Sequence, residues 1–123
     1  MTITKQWADS FARDWIKAWN AHDLARVLSH YTDDFEMSSP FIAEFTEEAS
    51  GTLVGKGRIS AYWQLALQKI PNLRFDLQSV LVGASSIVIY YRTSFGRRTA
   101  EVLFVNRDGL VYRAAAHYVD DAA

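Results

Sequence analysis

The sequence predicts an α+β domain: a curled antiparallel sheet with helices of the N-terminal half packed on one face. Three observations carry this. Apolar residues recur at helical spacing around residues 7–19 and again around 59–70. Residues 73–118 instead alternate and are rich in β-branched and aromatic side chains, punctuated by Gly83, Gly96 and Asp108-Gly109. The helices come first and the strands follow one another directly, an order that segregates the two kinds of element. The 123 residues suit a single domain, residues 1–123, large enough to bury a core without disulfides or metals.

Trp7, Phe11, Trp15 and Trp19 recur every four residues, with Ala8, Ala12 and Ile16 beside them, as on one face of a helix of about four turns. Lys5, Asp9, Arg13, Asp14 and Lys17 fall on its outer side, and Asn20-Ala21-His22 breaks it. Asp23 is an N-cap for a short second helix with Leu24, Val27, Leu28 and Tyr31 inward. Thr32-Asp33-Asp34 reads as a turn, Phe35 to Ser38 as a short strand ended by Pro40, and Thr46 to Thr52 as a loop able to cover an opening. Ile59, Tyr62, Trp63, Ala66, Leu67 and Ile70 then match a third amphipathic helix, stopped by Pro71-Asn72. A strand follows from Leu73 to Val82, and three more span Ser86 to Tyr118.

Turn chemistry predicts how those last strands pair. Phe95-Gly96-Arg97-Arg98 has Gly first in a two-residue loop, which suits a type II′ hairpin, and Arg107-Asp108-Gly109-Leu110 carries the type I′ pair Asp-Gly. On that register Arg92 lies opposite Glu101, Glu101 opposite Ala116, and Val105 opposite Tyr112. Tyr90, Arg92, Glu101, Leu103, Ala114, Ala116 and Tyr118 then share one face; Ile87, Ile89, Tyr91, Phe104 and His117 share the other. Neither face is plainly polar, so both are expected to be covered, one by the helices and one by a second copy of the chain.

Composition narrows the function. A net charge of −1 with mixed signs provides no basic footprint for nucleic acid and no polybasic membrane patch. Cysteine is absent, which excludes a thiol nucleophile and zinc–thiolate chemistry. Met1 to Gln6 lacks a signal-peptide core and no run is long enough to span a bilayer, so a soluble cytoplasmic location is expected. The three histidines have no metal-ligand spacing, and no P-loop, dinucleotide fingerprint or Ser-His-acid order is present. No metal or cofactor is expected.

Several segments resemble the nuclear transport factor 2-like superfamily, in particular its SnoaL-like (polyketide cyclase-like) branch. They are Ala18-Trp19-Asn20-Ala21-His22-Asp23-Leu24, Tyr31-Thr32-Asp33-Asp34-Phe35, Gly57-Arg58-Ile59, and Asp108-Gly109-Leu110-Val111 followed by Ala116-His117-Tyr118. The resemblance spans nearly the whole chain. It implies a cone-shaped, cystatin-like α+β fold with three helices, a deep apolar pocket between sheet and helices, and a homodimer through the sheet. The superfamily includes ketosteroid isomerases, polyketide cyclases, epoxide hydrolases, dehydratases and non-catalytic domains. The aspartate base of the isomerases corresponds to Ser39, which has no evident base beside it. Their first-helix tyrosine corresponds to Trp15, and the protonated acid of their oxyanion site to Glu101. One of three catalytic positions thus keeps a usable group.

Glu101, mid-strand among apolar residues, is the candidate catalytic acid or base. The alternative is an ion pair with Arg92, which would keep it charged or let both anchor a polar ligand group. Trp15, Trp19, Ser39, Phe41, Tyr62, Trp63, Leu67, Tyr90, Arg92, Ala116 and Tyr118 are the candidate ligand-binding residues, with the small Ala114 and Ala116 leaving room beside Glu101. Four Trp and six Tyr bring polar tips that need partners, which favours a pocket over a merely filled core. His117 is expected at a sheet interface, and His22 and His30 in solvent. The pairs Asp33-Asp34, Glu47-Glu48 and Asp120-Asp121 read as solvated surface. The expected partner is a small apolar or mixed-polarity molecule, handled by acid–base chemistry of the isomerase, cyclase, dehydratase or hydrolase kind. The competing class is a non-catalytic binding or association domain.

Overall fold

A computed structural model describes residues 1–120; Asp121 of the last acidic pair lies outside the described residues. In chain order the elements are α1 (Lys5–Asn20), α2 (Leu24–Leu28), β1 (Tyr31–Ser38), α3 (Pro40–Phe45), β2 (Thr52–Val54), α4 (Lys56–Lys69), β3 (Phe75–Val82), β4 (Ser86–Thr93), β5 (Arg98–Val105) and β6 (Val111–Tyr118). The described residues form a six-stranded sheet in the order β2-β1-β6-β5-β4-β3. Every neighbouring pair is antiparallel except β1 and β6, which run parallel, so the sheet is mixed rather than purely antiparallel.

The core lies between one sheet face and the helices. Thr4 caps α1, its Oγ1 accepting from the Trp7 N–H at 3.1 Å, and the helix buries Ala8, Phe11, Ala12, Trp15, Ala18 and Trp19. From the sheet come Phe75, Ile87, Ile89, Tyr91, Leu103, Val105, Val111 and Ala114; from α4 come Ile59, Tyr62 and Trp63. Aromatic contacts knit the layers: Trp15 stacks on Phe75 at 5.7 Å, and Trp19 meets Trp63 edge-on at 5.0 Å.

Both hairpins differ from the two-residue turns predicted. Each has a three-residue loop, Ser94-Phe95-Gly96 and Arg107-Asp108-Gly109, whose last residue is a glycine in the left-handed region (φ +84° and +80°). The Gly96 N–H donates to the Thr93 carbonyl, and the Gly109 N–H to the Asn106 carbonyl. In the second hairpin the extra residue is absorbed by a bulge at Phe104/Val105, so Glu101 still faces Ala116, while Val105 pairs with Val111 rather than Tyr112. In the first the loop spans residues 94–96 rather than 96–97, and the pairing shifts by three residues. Glu101 is opposite Ile89, Arg92 is opposite Arg98, and the residues of β4 are exchanged between faces. Ile87, Ile89, Tyr91 and Thr93 point into the core; Val88, Tyr90 and Arg92 point away.

Three further differences are local. β1 begins at Tyr31, and the residues read as a turn, Asp33 and Asp34, sit in a stretch where the pairing with β6 shifts register. Ser39-Pro40 opens a helix as well as ending a strand: Ser39 is the N-cap of α3 and Pro40 takes its first turn. β2 adds a short edge strand paired with β1.

Candidate functional site

β5 carries Glu101 on the inward face, and the curled sheet and helices close over it until the residue is only 6% exposed. The Tyr91 Oη, on the neighbouring strand, donates to Glu101 Oε1 at 3.0 Å. Burial penalises the carboxylate and pushes its pKa up to about 7, against the pull of that hydrogen bond toward the charged form. At neutral pH the group is therefore poised between acid and base. Its charge in turn raises the surrounding phenols. Tyr62 is pushed up to about 12, mainly by burial, with a hydrogen bond to Ser39 opposing. Tyr31, Tyr91 and Tyr118 are driven upward by burial first and by Glu101 second. The phenols stay neutral and serve as hydrogen-bond donors or acceptors, not bases.

Glu101 opens onto a narrow cavity of about 60 Å³, walled by Trp19, Met37, Tyr62, Trp63, Phe75 and Tyr91 within, and by Phe41, Phe45, Phe95 and Tyr118 toward the surface. That is space for a few waters. Phe95, on the β4–β5 turn, is 45% exposed and meets Phe41 edge-on at 6.5 Å. A wider open cleft of about 500 Å³ lies between the loop after α3 and α4, and Phe45 and Tyr62 line both spaces. Two buried polar atoms of this region have no hydrogen-bond partner among the described residues: Trp19 Nε1 in the cavity wall, and Thr99 Oγ1, two residues before Glu101 on the same face. Of the two residues, Trp19 lines the cavity and Thr99 does not.

The structure brings Trp19, Phe41, Tyr62, Trp63 and Tyr118 together with Glu101 around this space. It places the other residues singled out from the sequence elsewhere. Arg92 is exposed and Tyr90 half-buried on the opposite face, so neither reaches Glu101; the flipped register of β4 is the reason. Trp15 is buried behind the cavity, its indole N–H donating to the Tyr31 hydroxyl at 2.9 Å. Leu67 packs against the core outside the cavity wall. Ala116 borders a shallow depression with Ser38 and Gly51 instead. Ser39 is buried, its Oγ accepting from the Phe41 N–H at 3.2 Å. Sequence reasoning missed the wall residues Met37, Phe45, Phe75 and Phe95 and, most consequentially, Tyr91. Its signal was present: Ile87, Ile89 and Tyr91 make the more apolar row of β4, and the row holding Arg92 the less apolar one.

Two of the histidines tie elements of the fold together. His22 and His30 are partly buried rather than solvent-exposed. His22 Nε2 lies 2.7 Å from the Leu73 carbonyl, and His30 Nε2 lies 2.7 Å from Asp14 Oδ2. Asp14 also pairs with Arg26, which together with His30 holds its carboxyl below the usual range. His117 is exposed on the face away from Glu101. Among the described residues no group of three or more His, Asp or Glu is placed to hold a metal ion. No described helix is long and apolar enough to cross a membrane.

The profile of the SnoaL-like domain matches residues 12–119. The chain belongs to the SnoaL-like family. Among solved structures, a SnoaL-like protein of unknown function from Burkholderia thailandensis is 48% identical; the match covers 97% of this chain and 99% of that one with a TM-score of 0.92. A nuclear transport factor 2-like protein from Anabaena variabilis has a TM-score of 0.76 at 18% identity, covering 98% and 96%. A candidate isomerase of the SnoaL-like family from Agrobacterium tumefaciens has a TM-score of 0.72 at 18% identity, covering 91% and 97%. The last two share the fold with this SnoaL-like domain. No curated protein matches the chain by sequence.

Proposed function

We propose that this SnoaL-like domain binds a small, largely apolar molecule in the Glu101 cavity and moves a proton on it. One observation carries the reading: a carboxyl group buried in an aromatic cavity and hydrogen-bonded by Tyr91, where burial pushes its pKa up to about 7. A group with a pKa at the working pH is available both to take a proton and to return it. The substrate class that fits is a carbon acid next to a carbonyl. Glu101 takes the proton from carbon, the electron pair moves onto the carbonyl oxygen, and Glu101 returns the proton to another atom of the same framework. The Trp19 N–H and the Tyr62 and Tyr118 phenols are the donors that the wall offers to the developing oxyanion. Ser39 has no part as a base here. Its hydroxyl caps α3 and contacts the phenols. Because the cavity is far smaller than the ~300 Å³ of a typical ligand pocket, binding requires the rim aromatics Phe41 and Phe95 to move.

The test is proton exchange in deuterium oxide. A panel of β-diketones and aryl ketones is incubated with protein, and loss of the α-proton signal is followed by NMR. Exchange is expected with the native chain and is expected to fall by about 100-fold or more in Glu101→Gln. Exchange that persists in the variant would remove Glu101 from the chemistry.

A second reading, an association module, is favoured by a different observation. The sheet face away from Glu101 is apolar at Val88, Tyr90, Val102, Phe104 and Ala115, all half-buried, with Leu81 53% and Tyr112 44% exposed. A homodimer through this face is compatible with the first reading; an association domain without a ligand is the alternative to it.

A further inference from the structure

We propose that the cavity's ligand carries a small anionic head, a carboxylate or its like, held at the rim between Lys69 and Arg97 with its apolar body directed toward Glu101. This rests on the ligand-pocket reading and names the class of molecule it takes. The rim is aromatic, and three of its rings carry cations. Lys69 Nζ lies 5.3 Å from the centre of the Phe45 ring. The Arg97 guanidinium lies 5.8 Å from the Phe41 ring and 5.5 Å from the Tyr118 ring. Those three rings line the cavity.

Arg97 is held in place as well as positioned. Its Nε donates to the Val119 carbonyl at 3.2 Å and its backbone N–H to Thr93 Oγ1 at 2.9 Å. A guanidinium fixed through Nε keeps its terminal nitrogens for a further acceptor. Several other cations are ion-paired among the described residues: Lys5 with Asp9, Arg26 with Asp14, Lys56 with Asp33 and Arg113 with Glu36. Among the described residues no carboxylate lies within ion-pair distance of Lys69 or Arg97. The acids on this side are Glu101 within, Glu44 on α3, which bears on Tyr62, Glu47 and Glu48, which line the neighbouring cleft with Phe45, and Asp76, paired across the strands with Arg92. Lys69 and Arg97 thus stand over rings that line the cavity of the buried carboxyl, with no ion-pair partner among the described residues. A cationic ligand would meet Lys69 and Arg97 on entry. A neutral one would leave them unused. An anion gains from both, and most at low salt.

The experiment uses three probes of one shape: indole-3-acetate, indole-3-acetamide and tryptamine. Affinities come from calorimetry at low and high salt, and the indole N–H signals of the tryptophans locate the bound probe. Indole-3-acetate is expected to bind about tenfold tighter than the acetamide, with tryptamine weakest. That preference, read as the ratio of acetate to acetamide affinity within each protein, should shrink at high salt and vanish in the Lys69→Gln, Arg97→Gln double variant. Arg97→Lys should keep the preference. Equal or tighter binding of the acetamide or tryptamine, with the Trp19 signal shifting, would overturn the anionic head and leave the pocket standing. No Trp19 shift with any probe at millimolar concentration would overturn both.

Discussion

Glu101 shows how one position can be both a cost to the fold and a resource for chemistry. Its pKa in the folded chain is about 7, against a usual value of 4.5. Between those values the folded state holds more protons than the unfolded one, so stability falls as pH rises through this window and levels off above it. The span is worth about 3 kcal/mol at most. Glu101→Gln, neutral at every pH, is expected to match the native chain near pH 4.5 and to exceed its stability by up to that amount at pH 8. Urea unfolding at the two pH values checks this, and equal slopes in both proteins would mean that Glu101 is not the titrating group. Tyr91→Phe removes the bond that favours the carboxylate. The Glu101 pKa should then rise above 7, read from the side-chain carbon shift in an NMR titration, and the pH window should widen with it.

The elements were legible where local chemistry decides them and illegible where distance along the chain does. The repeat from Trp7 to Trp19 and the pattern from Ile59 to Ile70 lie in α1 and α4, because an amphipathic face is written in nearest turns. The pairing of β4 was not legible from its turn, since the loop spans residues 94–96 rather than 96–97, a three-residue shift that exchanges every side chain between faces. The apolar row Ile87, Ile89, Tyr91 pointed the other way, and burial decided the register over turn preference. With that exchange went the Arg92–Glu101 pair, and Tyr91 took its place. The segment Asn20-Ala21-His22, read as a helix breaker, also clamps two elements. Asn20 Nδ2 donates to the Phe75 carbonyl at 2.9 Å, and Asn20 Oδ1 accepts the Phe75 N–H at 2.7 Å, tying the end of α1 to the start of β3. Two such bonds at about 1 kcal/mol each lead us to expect Asn20→Ala to cost about 2 kcal/mol. Hydrogen exchange at the Phe75 amide should accelerate with it, while exchange in the β5–β6 ladder should follow only the global loss.

For the whole molecule the open question is what meets the outer sheet face. One side of the sheet is fully used: helices cover it and Glu101 sits within it. The other side exposes aliphatic and aromatic rows on β4, β5 and β6, bordered by Arg92, Arg113 and His117. A central apolar area with a charged border has the anatomy of an interface. Because Val102 pairs with Val88 on one side and Ala115 on the other, it lies in the middle of those rows. Val102→Asp should therefore be tolerated by a single chain, whose side chain there is only half-buried, and resisted by a pair. Sedimentation equilibrium is expected to show a dimer for the native chain and dissociation weakened affinity by about 100-fold or more for the variant, the cost of placing an unpaired charge in a desolvated interface. Circular dichroism should be unchanged. The Glu101 titration should be unchanged as well, because that carboxyl lies on the opposite face of the same sheet. A native chain that sediments as a monomer at 0.1 mM would remove the self-association reading, and with it the simplest account of why so many apolar side chains remain on an open face.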